Sequence, residues 1–442
     1  MRLMSTGGGA PEVGFREALL AGLAPDGGLY LPVDLPSMST ADLAAWRALP
    51  FDALAIRLAV RLLSDEFPEP VLARLVGDAL NFPVPTVRLD RRLSLVELFH
   101  GPTLAFKDFG ARFLGRFFGH LLGERGDHAT ILVATSGDTG SAVARGFAGV
   151  PGVRVVVLYP AGRVSPFQEA QIASVGGNVT AVRVPGAFDD CQRLVKAALG
   201  DPALAPLHLS SANSINIGRL LPQAFYYVAS YLAAAPAIGD PVVFAVPSGN
   251  LGNLTAGVLA ARMGLPVSRF IAATNANDVL PEYLATGRFT PRRSVPTLSN
   301  AMDVGDPSNF ARLDRLHAGS ADAMRAAILG VSVSEPETRA AIREAYARYG
   351  RVLDPHGAVA YAAARRYLEA GAPEQGGTVM ALATAHPAKF ADAIREELGF
   401  EPALPEADRL WRDWPLSAID LQAPTPEALV RLLCNLPPAP PV

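Results

Sequence analysis

The chain has 442 residues, half of them hydrophobic, which is enough for two or three domains with sizeable cores. Its 39 basic and 42 acidic side chains give a formal net charge of −3 without a basic stripe, which argues against nucleic acid and membrane surfaces as partners. Two cysteines make neither a disulfide framework nor a cysteine zinc site, and with no signal peptide or membrane-spanning run we predict a metal-free cytoplasmic protein.

For residues 1–90 we predict an N-terminal extension that mixes helical stretches with loops and a short strand at 29–31. Apolar residues recur at helical spacing over 51–63 and again over 68–80. Pro83 and Pro85 follow these predicted helices. Because proline interrupts regular structure, the two prolines mark a boundary before the central region.

From residue 129 the pattern changes to apolar runs that alternate with helical stretches. The predicted strands cover residues 130–134, 153–158, 179–184, 242–246, 270–273 and 379–383. Strands that are apolar on both faces are typical of parallel sheets covered by helices on each side. We therefore predict an α/β fold, with α/β regions at 91–240 and 241–404 and a C-terminal tail at 405–442. The proline-rich end of that tail, 437–441, is expected to be disordered.

The first segment with chemical character is residues 99–110, FHGPTLAFKDFG, which contains Lys107. Apolar residues recur every four positions after Lys107 and predict a helix that begins near it. The positive end of that helix and the apolar neighbours both disfavour an ammonium and favour a neutral, nucleophilic amine. An ordinary ion pair with Asp108 is the alternative interpretation.

Lysine is scarce in this chain: of its 39 basic residues only three are lysines, and the other 36 are arginines. A primary amine can lose its proton and attack a carbonyl, whereas a guanidinium stays charged. A lysine that remains is therefore a candidate for chemistry. Lys196 lies in a predicted amphipathic helix at 191–199 and fits a solvated surface position, which leaves Lys107 and Lys389 as the candidates.

A glycine-rich turn, PSGNLGNLTAG at residues 247–257, joins a predicted strand to a predicted helix. Glycines allow several backbone N–H groups to converge at a helix N-terminus, which makes a phosphate cradle. The turn lacks the Lys-Ser/Thr ending of an ATP-binding loop and the spacing of a dinucleotide site. It therefore favours a phosphate group that is held rather than cleaved, and a tight turn without a ligand is the alternative.

Three further polar segments lie at predicted strand ends or helix starts. They are the turn at 134–142 with Ser136 and Thr139, the segment at 210–222 with Asn213 and Arg219, and the segment at 383–390 with Thr384 and Lys389. Hydroxyls, amides and cations in such places are suited to bind the carboxylate or phosphate of a substrate. Ordinary helix capping or surface structure explains each segment equally well when it is considered alone.

The combination of these segments is more specific than any one of them. An activated lysine, a phosphate cradle and hydroxyl-rich turns are what pyridoxal phosphate requires. The lysine forms an imine with the cofactor, the glycine turn binds its 5′-phosphate, and a side chain near the pyridine nitrogen tunes the ring. The sequence therefore predicts a pyridoxal phosphate enzyme.

The chain resembles the threonine synthase family in its longer bacterial and fungal branch. The resemblance rests on residues 99–109, 134–140, 211–216, 248–255, 297–303 and 384–390. It implies the type II fold of pyridoxal phosphate enzymes, with two α/β domains of mostly parallel sheets around a cofactor cleft and an N-terminal extension. It also implies conversion of O-phospho-L-homoserine and water to L-threonine and phosphate by β,γ-elimination and hydration.

The resemblance also implies roles for individual residues. Lys107 is the catalytic Schiff-base lysine, and Thr384 contacts the pyridine nitrogen of pyridoxal phosphate. The phosphate loop comprises Gly249, Asn250, Leu251, Gly252 and Asn253. The residues expected to bind substrate are Ser136, Thr139, Asn213, Arg219 and Lys389. Asp138 stands where shorter family members have asparagine near the 3′-oxygen of the cofactor, so no direct contact is assigned to it.

Other functions remain open on the sequence alone. A phosphohomoserine lyase or a serine/threonine dehydratase of the same fold shares the cofactor, although the residues around Lys107 argue against the dehydratase. A non-catalytic α/β binding protein is disfavoured by the intact lysine and phosphate loop. We expect a small-molecule substrate and a monomer or homodimer, with no nucleic-acid or membrane partner.

Overall fold

Two mostly parallel sheets and one small antiparallel sheet organise the chain in the computed structural model, which describes residues 1–371 and 377–441. The strands, in chain order, are β1 (Arg2–Ser5), β2 (Val13–Gly14), β3 (Tyr30–Pro32), β4 (Thr86–Arg88), β5 (Leu93–Glu97), β6 (Ala129–Ala134), β7 (Val153–Pro160), β8 (Val179–Val184), β9 (Leu209–Ser210), β10 (Val242–Pro247), β11 (Val267–Thr274), β12 (Ile328–Ser332), β13 (Val379–Ala383) and β14 (Ala418–Asp420).

Helices cover both faces of the two parallel sheets. They are α1 (Phe15–Ala21), α2 (Thr40–Trp46), α3 (Phe51–Leu63), α4 (Glu69–Ala79), α5 (Lys107–Arg125), α6 (Asp138–Gly146), α7 (Pro166–Ala173), α8 (Phe188–Leu199), α9 (Ile217–Leu220), α10 (Gln223–Ala234), α11 (Gly252–Arg262), α12 (Val279–Thr286), α13 (Phe310–Leu316), α14 (Ala321–Ala327), α15 (Glu335–Tyr349), α16 (Pro355–Glu369), α17 (Ala391–Leu398) and α18 (Pro426–Asn435). Short 3-10 helices lie at Pro202–Leu207, Asn300–Met302, Pro387–Phe390, Glu406–Asp408 and Trp411–Asp413. In the described part of the chain, no helix has the length and apolar character needed to cross a membrane.

The larger sheet has the strand order β12-β11-β10-β13-β5-β4. Its strands are parallel except for β4, which is antiparallel to β5. β13 lies between β10 and β5, and its Val379 pairs with both Val243 and Leu93. Because β10, β13 and β5 run in the same direction, their carboxyl ends meet at one edge of the sheet.

The smaller of the two parallel sheets, called the smaller sheet below, has the strand order β14-β8-β7-β6-β9 and is parallel throughout. Every residue of β7 is buried, as expected for a strand with helices on both faces. β6 pairs in parallel with β9 through Thr130 and Leu209, so both strands run toward the same edge of the sheet. The edge formed by β6 and β9 supplies the second half of the site described below.

The sequence predictions of the strands are largely confirmed. The ranges 179–184 and 379–383 match β8 and β13 residue for residue, and the other predicted strands differ by one to three residues at an end. β5 and β12 were missed because their apolar runs are interrupted: β5 contains Ser94 and ends at Glu97, and the mostly half-buried β12 contains Gly330 and ends at Ser332. The predicted α/β class with mostly parallel sheets is confirmed.

The N-terminal extension packs on helix α5 through aromatic side chains. The rings of Phe15, Phe67 and Phe117 meet edge to face, with centroids 5.3 to 6.3 Å apart. Phe113 and Phe117 belong to the apolar face of α5 that the fourfold spacing predicts, and both are fully buried. Each aromatic pair contributes about 0.5–1.5 kcal/mol beyond area burial. The cluster therefore fixes α5, whose first residue is Lys107.

The predicted region 91–240 does not form a sheet by itself. Its strand β5 belongs to the larger sheet, whereas β6 to β9 form the smaller sheet with β14. The chain therefore begins the larger sheet, builds the smaller one and returns to complete the larger one. The boundaries at residues 90, 240 and 404 stay predictions.

The C-terminal tail lies along the smaller sheet, where β14 pairs with β8. The expected disorder at 437–441 is wrong for most of that segment. Nη1 of Arg154 donates to the carbonyl oxygen of Pro437 at 2.7 Å, and the N–H of Gly152 donates to the carbonyl oxygen of Pro440 at 3.1 Å. The prolines of this segment have no N–H donors, and donors from β7 and the turn before it hold the segment in place through its carbonyl oxygens.

Candidate active site

The carboxyl ends of strands in both parallel sheets carry the predicted site segments. In the larger sheet, β5 leads to the loop before Lys107, β13 ends at Thr384, and β10 leads into the phosphate loop at 248–253. In the smaller sheet, β6 ends before Ser136 and β9 before Asn213. Ligands of α/β proteins bind at such edges because loops and helix N-termini converge there.

The loop before Lys107 is tied to the end of β13. The N–H of Phe106 donates to the carbonyl oxygen of Thr384 at 2.8 Å, and the N–H of His386 donates to that of Leu104 at 2.9 Å. Leu104 has a left-handed φ of 58°, which is uncommon for a residue with a side chain and turns the chain into α5. α5 begins at Lys107, as the sequence predicts.

Asp108, the neighbour of Lys107, braces the same loop. Its carboxylate accepts hydrogen bonds from the backbone N–H of Thr103 at 2.8 Å and from the hydroxyl of Thr103 at 2.7 Å. Burial raises the pKa of Asp108 to about 6, although these bonds and the charge of Lys389 oppose the rise. The carboxylate is directed to Thr103 and not to Lys107, so the ion pair considered from the sequence is not formed.

The amine of Lys107 lies where its charge is disfavoured. Burial, assisted by the nearby cations Arg219 and Lys389, lowers the pKa of Lys107 to about 8, while Asp138 opposes the shift. The residue keeps partial solvent access. An amine with such a pKa is partly neutral at neutral pH and can act as a nucleophile or a base.

Lys389 is buried, with 2% of its surface exposed, and its ammonium is fully bonded to protein. Its Nζ donates to the carbonyl oxygen of Thr103 at 2.6 Å and to Oε1 of Gln171 at 2.9 Å. It also forms an ion pair with Oδ1 of Asp138 at 2.9 Å. Because an ammonium has three N–H donors, Lys389 can bind a substrate phosphate only if one of these bonds is released. Substrate binding by Lys389 stays a prediction.

Asp138 begins helix α6 and links the two sheets through Lys389. Its Oδ1 also accepts a hydrogen bond from Nε2 of Gln168 at 2.9 Å. Burial alone raises the pKa of Asp138, but Lys389, Lys107 and these hydrogen bonds outweigh burial and leave the pKa below its ordinary value. Asp138 is therefore an ionised carboxylate whose charge Lys389 balances.

The phosphate loop closes against residues 299–303, one of the segments that carry the family resemblance. A Cβ at Gly249 would lie 2.8 Å from Cα of Met302, so only glycine fits there. Leu251 has a left-handed φ of 60°, and helix α11 begins at the next residue, Gly252. The loop therefore presents backbone N–H groups and the positive end of α11 together, as a phosphate site requires.

Asn250 joins the phosphate loop to the segment at 210–222. Its Nδ2 donates to Oγ of Ser214 at 2.6 Å, and its Oδ1 accepts from the N–H of Ser308 at 2.6 Å. Its carbonyl oxygen accepts from Nδ2 of Asn309 at 2.9 Å. Both ends of the amide are thus bonded to protein, which indicates that the side chain of Asn250 shapes the loop.

Two buried donors among the described residues of the site have no hydrogen-bond partner: Nε of Arg219 and Nδ2 of Asn253. Arg219 lies under α5, and a Cβ at Gly110 would come within 2.7 Å of its carbonyl oxygen, so only glycine permits this approach. Burial lowers the pKa of Arg219 to about 10, which leaves it cationic at neutral pH. Buried donors without acceptors are unfavourable, and an anion satisfies them. Together with the amine of Lys107, the site fits a ligand such as pyridoxal phosphate.

The remaining predicted residues lie at the same strand ends. Ser136, Thr139 and Asn213 are half-buried after β6 and β9. Thr384 is buried directly after β13. The structure thus brings every predicted segment to the facing ends of the two parallel sheets, and the pair formed by Lys389 and Asp138 connects them.

The sequence analysis missed several residues that support the site. Gln168 and Gln171 of α7 bind Asp138 and Lys389, and their spacing of three residues on one helix face was the available signal. Tyr226 and Tyr227 of α10 donate to Oδ1 of Asn253, each at 2.6 Å. Tyrosines in an apolar helix resemble ordinary core residues, so no local signal revealed them.

Three family models match the chain. A model described as pyridoxal-phosphate dependent enzyme matches residues 82–385. Models described as threonine synthase N terminus and as threonine synthase, C-terminal match residues 2–80 and 357–428. The threonine synthase of Serratia marcescens is 44% identical over 428 residues, which cover 96% of this chain and 97% of that enzyme. The chain belongs to the threonine synthase family.

Solved structures of threonine synthases share the whole fold. The pyridoxal-phosphate-bound threonine synthase of Brucella melitensis has a TM-score of 0.91 and 37% identity, and the match covers 98% of both chains. The threonine synthase of Escherichia coli has a TM-score of 0.89 and 40% identity, covering 98% of this chain and 100% of that one.

Membership in the threonine synthase family confirms three predictions: the type II fold, pyridoxal phosphate as cofactor, and threonine synthase function. The lyase and dehydratase alternatives are not favoured, because relatives matched over nearly the whole chain are threonine synthases. The roles of individual residues stay predictions.

Proposed function

We propose that the chain converts O-phospho-L-homoserine and water to L-threonine and phosphate, with Lys107 as the residue that carries pyridoxal phosphate and moves the protons. The observation that carries the proposal is the amine of Lys107, whose pKa burial lowers to about 8, in a site that also contains two buried donors without partners among the described residues, Nε of Arg219 and Nδ2 of Asn253. The amine matches the aldehyde of the cofactor, the donor on Asn253 matches its phosphate, and the donor on Arg219 matches an anionic group of the substrate.

When bound, pyridoxal phosphate supplies an electron sink that stabilises negative charge on carbons near the substrate nitrogen. With the substrate amine on the cofactor in its place, Lys107 would be free to act as the base that removes the proton from Cα. Once that proton has passed to solvent, the neutral amine removes a second proton, from Cβ, and phosphate leaves from Cγ. Protons return to Cγ and Cα, and water adds at Cβ to give threonine. A pKa near the working pH suits a group that both takes and returns protons.

The phosphate loop at 249–253 is proposed to bind the 5′-phosphate of the cofactor. Its backbone N–H groups and the positive end of α11 attract an anion, and Nδ2 of Asn253 adds a side-chain donor. Thr384 is proposed to contact the pyridine nitrogen. A hydroxyl in that place keeps the nitrogen less protonated than a carboxylate does.

The substrate is proposed to be held by its own carboxylate and phosphate. Arg219 supplies a buried positive charge, and the hydroxyls of Ser136 and Thr139 and the amide of Asn213 supply hydrogen bonds from the smaller sheet. Lys389 contributes charge at the same edge and binds substrate directly only after release from one of its protein acceptors.

Some properties of the molecule rest on the sequence alone. We propose a monomer or homodimer located in the cytoplasm and without nucleic-acid partners. The near balance of acidic and basic residues and the lack of a basic stripe support the last point.

Borohydride reduction tests the role of Lys107 directly, because this chain offers only three lysines to distinguish. We expect reduction of the yellow holoprotein to fix the cofactor to Lys107, as read by peptide mass. Lys107→Ala should abolish the visible absorbance and lower kcat by at least about a thousandfold. Lys196→Ala, at an exposed position, is the matched control and should behave as the parent protein. Full turnover by Lys107→Ala would overturn the proposal.

A further inference from the structure

Two tyrosine hydroxyls converge on a single amide oxygen behind the phosphate loop. Oη of Tyr226 and Oη of Tyr227 each lie 2.6 Å from Oδ1 of Asn253. Tyr227 also lies 3.0 Å from the carbonyl oxygen of Asn253, and Tyr226 lies 3.3 Å from Oε1 of Gln223. The tyrosines are fully buried, and Asn253 is 6% exposed.

The hydroxyls act as donors at any working pH. Burial raises the pKa of Tyr226 and of Tyr227 well above the ordinary value, so neither ionises. An amide oxygen has two lone pairs, and the two hydroxyls occupy both. The amide of Asn253 is therefore held by its oxygen, and its nitrogen is directed away from the tyrosines.

The nitrogen of that amide is a donor without an acceptor. Nδ2 of Asn253 is buried and has no hydrogen-bond partner among the described residues. Asn253 is the second residue of α11, an eleven-residue helix that starts at the phosphate loop. If the amide were reversed, its oxygen would take the place of this donor, and an amide oxygen cannot donate to a phosphate.

The rings of the tyrosines are fixed independently of their hydroxyls. Tyr226 packs on Phe109 of α5 with ring centroids 5.0 Å apart, and Tyr227 packs on Phe244 of β10 at 4.8 Å. These contacts pack one ring on α5, the helix that begins with Lys107, and the other on β10, the strand that leads into the phosphate loop. Replacement by phenylalanine removes the hydroxyls and keeps the packing.

We propose that Tyr226 and Tyr227 are positioning residues for the cofactor phosphate, which hold the amide of Asn253 so that its nitrogen donates to that phosphate. The inference rests on the proposed function, because it assumes that pyridoxal phosphate occupies the loop. It assigns the tyrosine pair a role in phosphate affinity and none in proton transfer.

The test compares two ligands that differ by the phosphate alone. Apoprotein of Tyr226→Phe/Tyr227→Phe is titrated with pyridoxal phosphate and with pyridoxal, and binding is followed by absorbance. We expect the Kd for pyridoxal phosphate to rise about tenfold, since a charge-assisted hydrogen bond is lost, and the Kd for pyridoxal to change less than twofold. Tyr231→Phe, one turn further along α10, is the matched control, because the hydroxyl of Tyr231 binds Gly239 instead. It should change neither constant.

A second set of variants separates positioning from general damage. In an Asn253→Ala background, removing both hydroxyls should have no further effect on pyridoxal phosphate affinity, because the amide they hold is gone. Equal losses for both ligands, an unchanged Kd for pyridoxal phosphate, or additive losses in the Asn253→Ala background would overturn the inference. Failure of the parent apoprotein to bind pyridoxal phosphate would instead overturn the proposed function.

Discussion

Burial determines the reactivity of Lys107. With a pKa of about 8, roughly one amine in ten is neutral at pH 7, some 300-fold more than for an unshifted lysine. The cations of Arg219 and Lys389 favour the neutral form, and Asp138 limits the shift by favouring the charged form. Near neutral pH both protonation states of Lys107 are therefore populated. The neutral amine acts as nucleophile and base, the ammonium donates protons, and the proposed reaction requires both.

Uptake of pyridoxal phosphate by the apoprotein should depend on pH through Lys107. Only the neutral amine reacts, so the rate should rise as the pH approaches 8 and level off above it. Because the folded protein lowers the pKa, Lys107 is mostly neutral between about pH 8 and 10.5, a range in which an unshifted lysine is mostly charged. The second-order rate from pH 6 to 10 measures the midpoint. A rate that keeps rising to pH 10 would contradict the account.

The ion pair of Lys389 and Asp138 should be a stability element of the site. Lys389→Met leaves a buried carboxylate without its cation, which should lower the free energy of unfolding by about 3 kcal/mol. The double variant Lys389→Met/Asp138→Asn should recover most of this loss. Urea-unfolding midpoints of the two variants and the parent protein measure the effect. Parental stability together with a raised KM in Lys389→Met would indicate that Lys389 serves the substrate alone.

Local signals explain why Lys107 could be predicted and the bonds of Lys389 could not. Helical spacing, apolar neighbours and the scarcity of lysine all surround Lys107 in the sequence. The acceptors of Lys389 on Thr103 and Gln171 lie 286 and 218 residues away. No pattern within a short window encodes such contacts, so the charge of Lys389 was recognised but its partners were not.

At the scale of elements, the site depends on three neighbouring strands that end together. The phosphate loop follows β10, Thr384 follows β13, and the loop before Lys107 follows β5. All three therefore lie at one edge of the larger sheet. The apolar runs of β10 and β13 could be predicted from sequence. β5 could not, because Ser94 and Glu97 interrupt its apolar run, and its pairing partner β13 comes from a distant part of the chain.

Gly249→Ala should weaken binding of pyridoxal phosphate by about tenfold or more. The added Cβ would lie 2.8 Å from Cα of Met302, so the loop must shift away from residues 299–303. Gly77→Ala in α4, where the nearest atom would be 3.8 Å away, is the matched control and should leave the affinity unchanged. Titration of the apoproteins measures both. An unchanged Kd in Gly249→Ala would show that the close approach to Met302 does not shape the loop.

At the scale of the whole molecule, Arg312 ties the N-terminal extension to the site. Its guanidinium is fully buried and donates to the carbonyl oxygens of Tyr30 at 2.9 Å and Ile215 at 2.6 Å. It also donates to Oδ1 of Asn309 at 2.7 Å. Nδ2 of Asn309 in turn donates to the carbonyl oxygen of Asn250 in the phosphate loop. Hydrogen bonds from Arg312 to neutral acceptors therefore connect the N-terminal extension to the phosphate loop.

Arg312→Met should destabilise the protein and loosen the phosphate loop together. Several buried acceptors lose their donor, so we expect the free energy of unfolding to fall by about 3 kcal/mol. The Kd for pyridoxal phosphate should rise a few-fold through Asn309. Arg315→Met, at an exposed position of the same helix, is the control. Equal behaviour of the two variants in unfolding and in cofactor titration would contradict this account.

The measurement that tests the central claim most directly is product analysis with purified holoprotein and O-phospho-L-homoserine. The account predicts L-threonine and phosphate in equal amounts, and neither product from Lys107→Ala. Formation of 2-oxobutyrate without threonine would contradict it, because the chain would then eliminate phosphate without the hydration at Cβ that defines the proposed reaction.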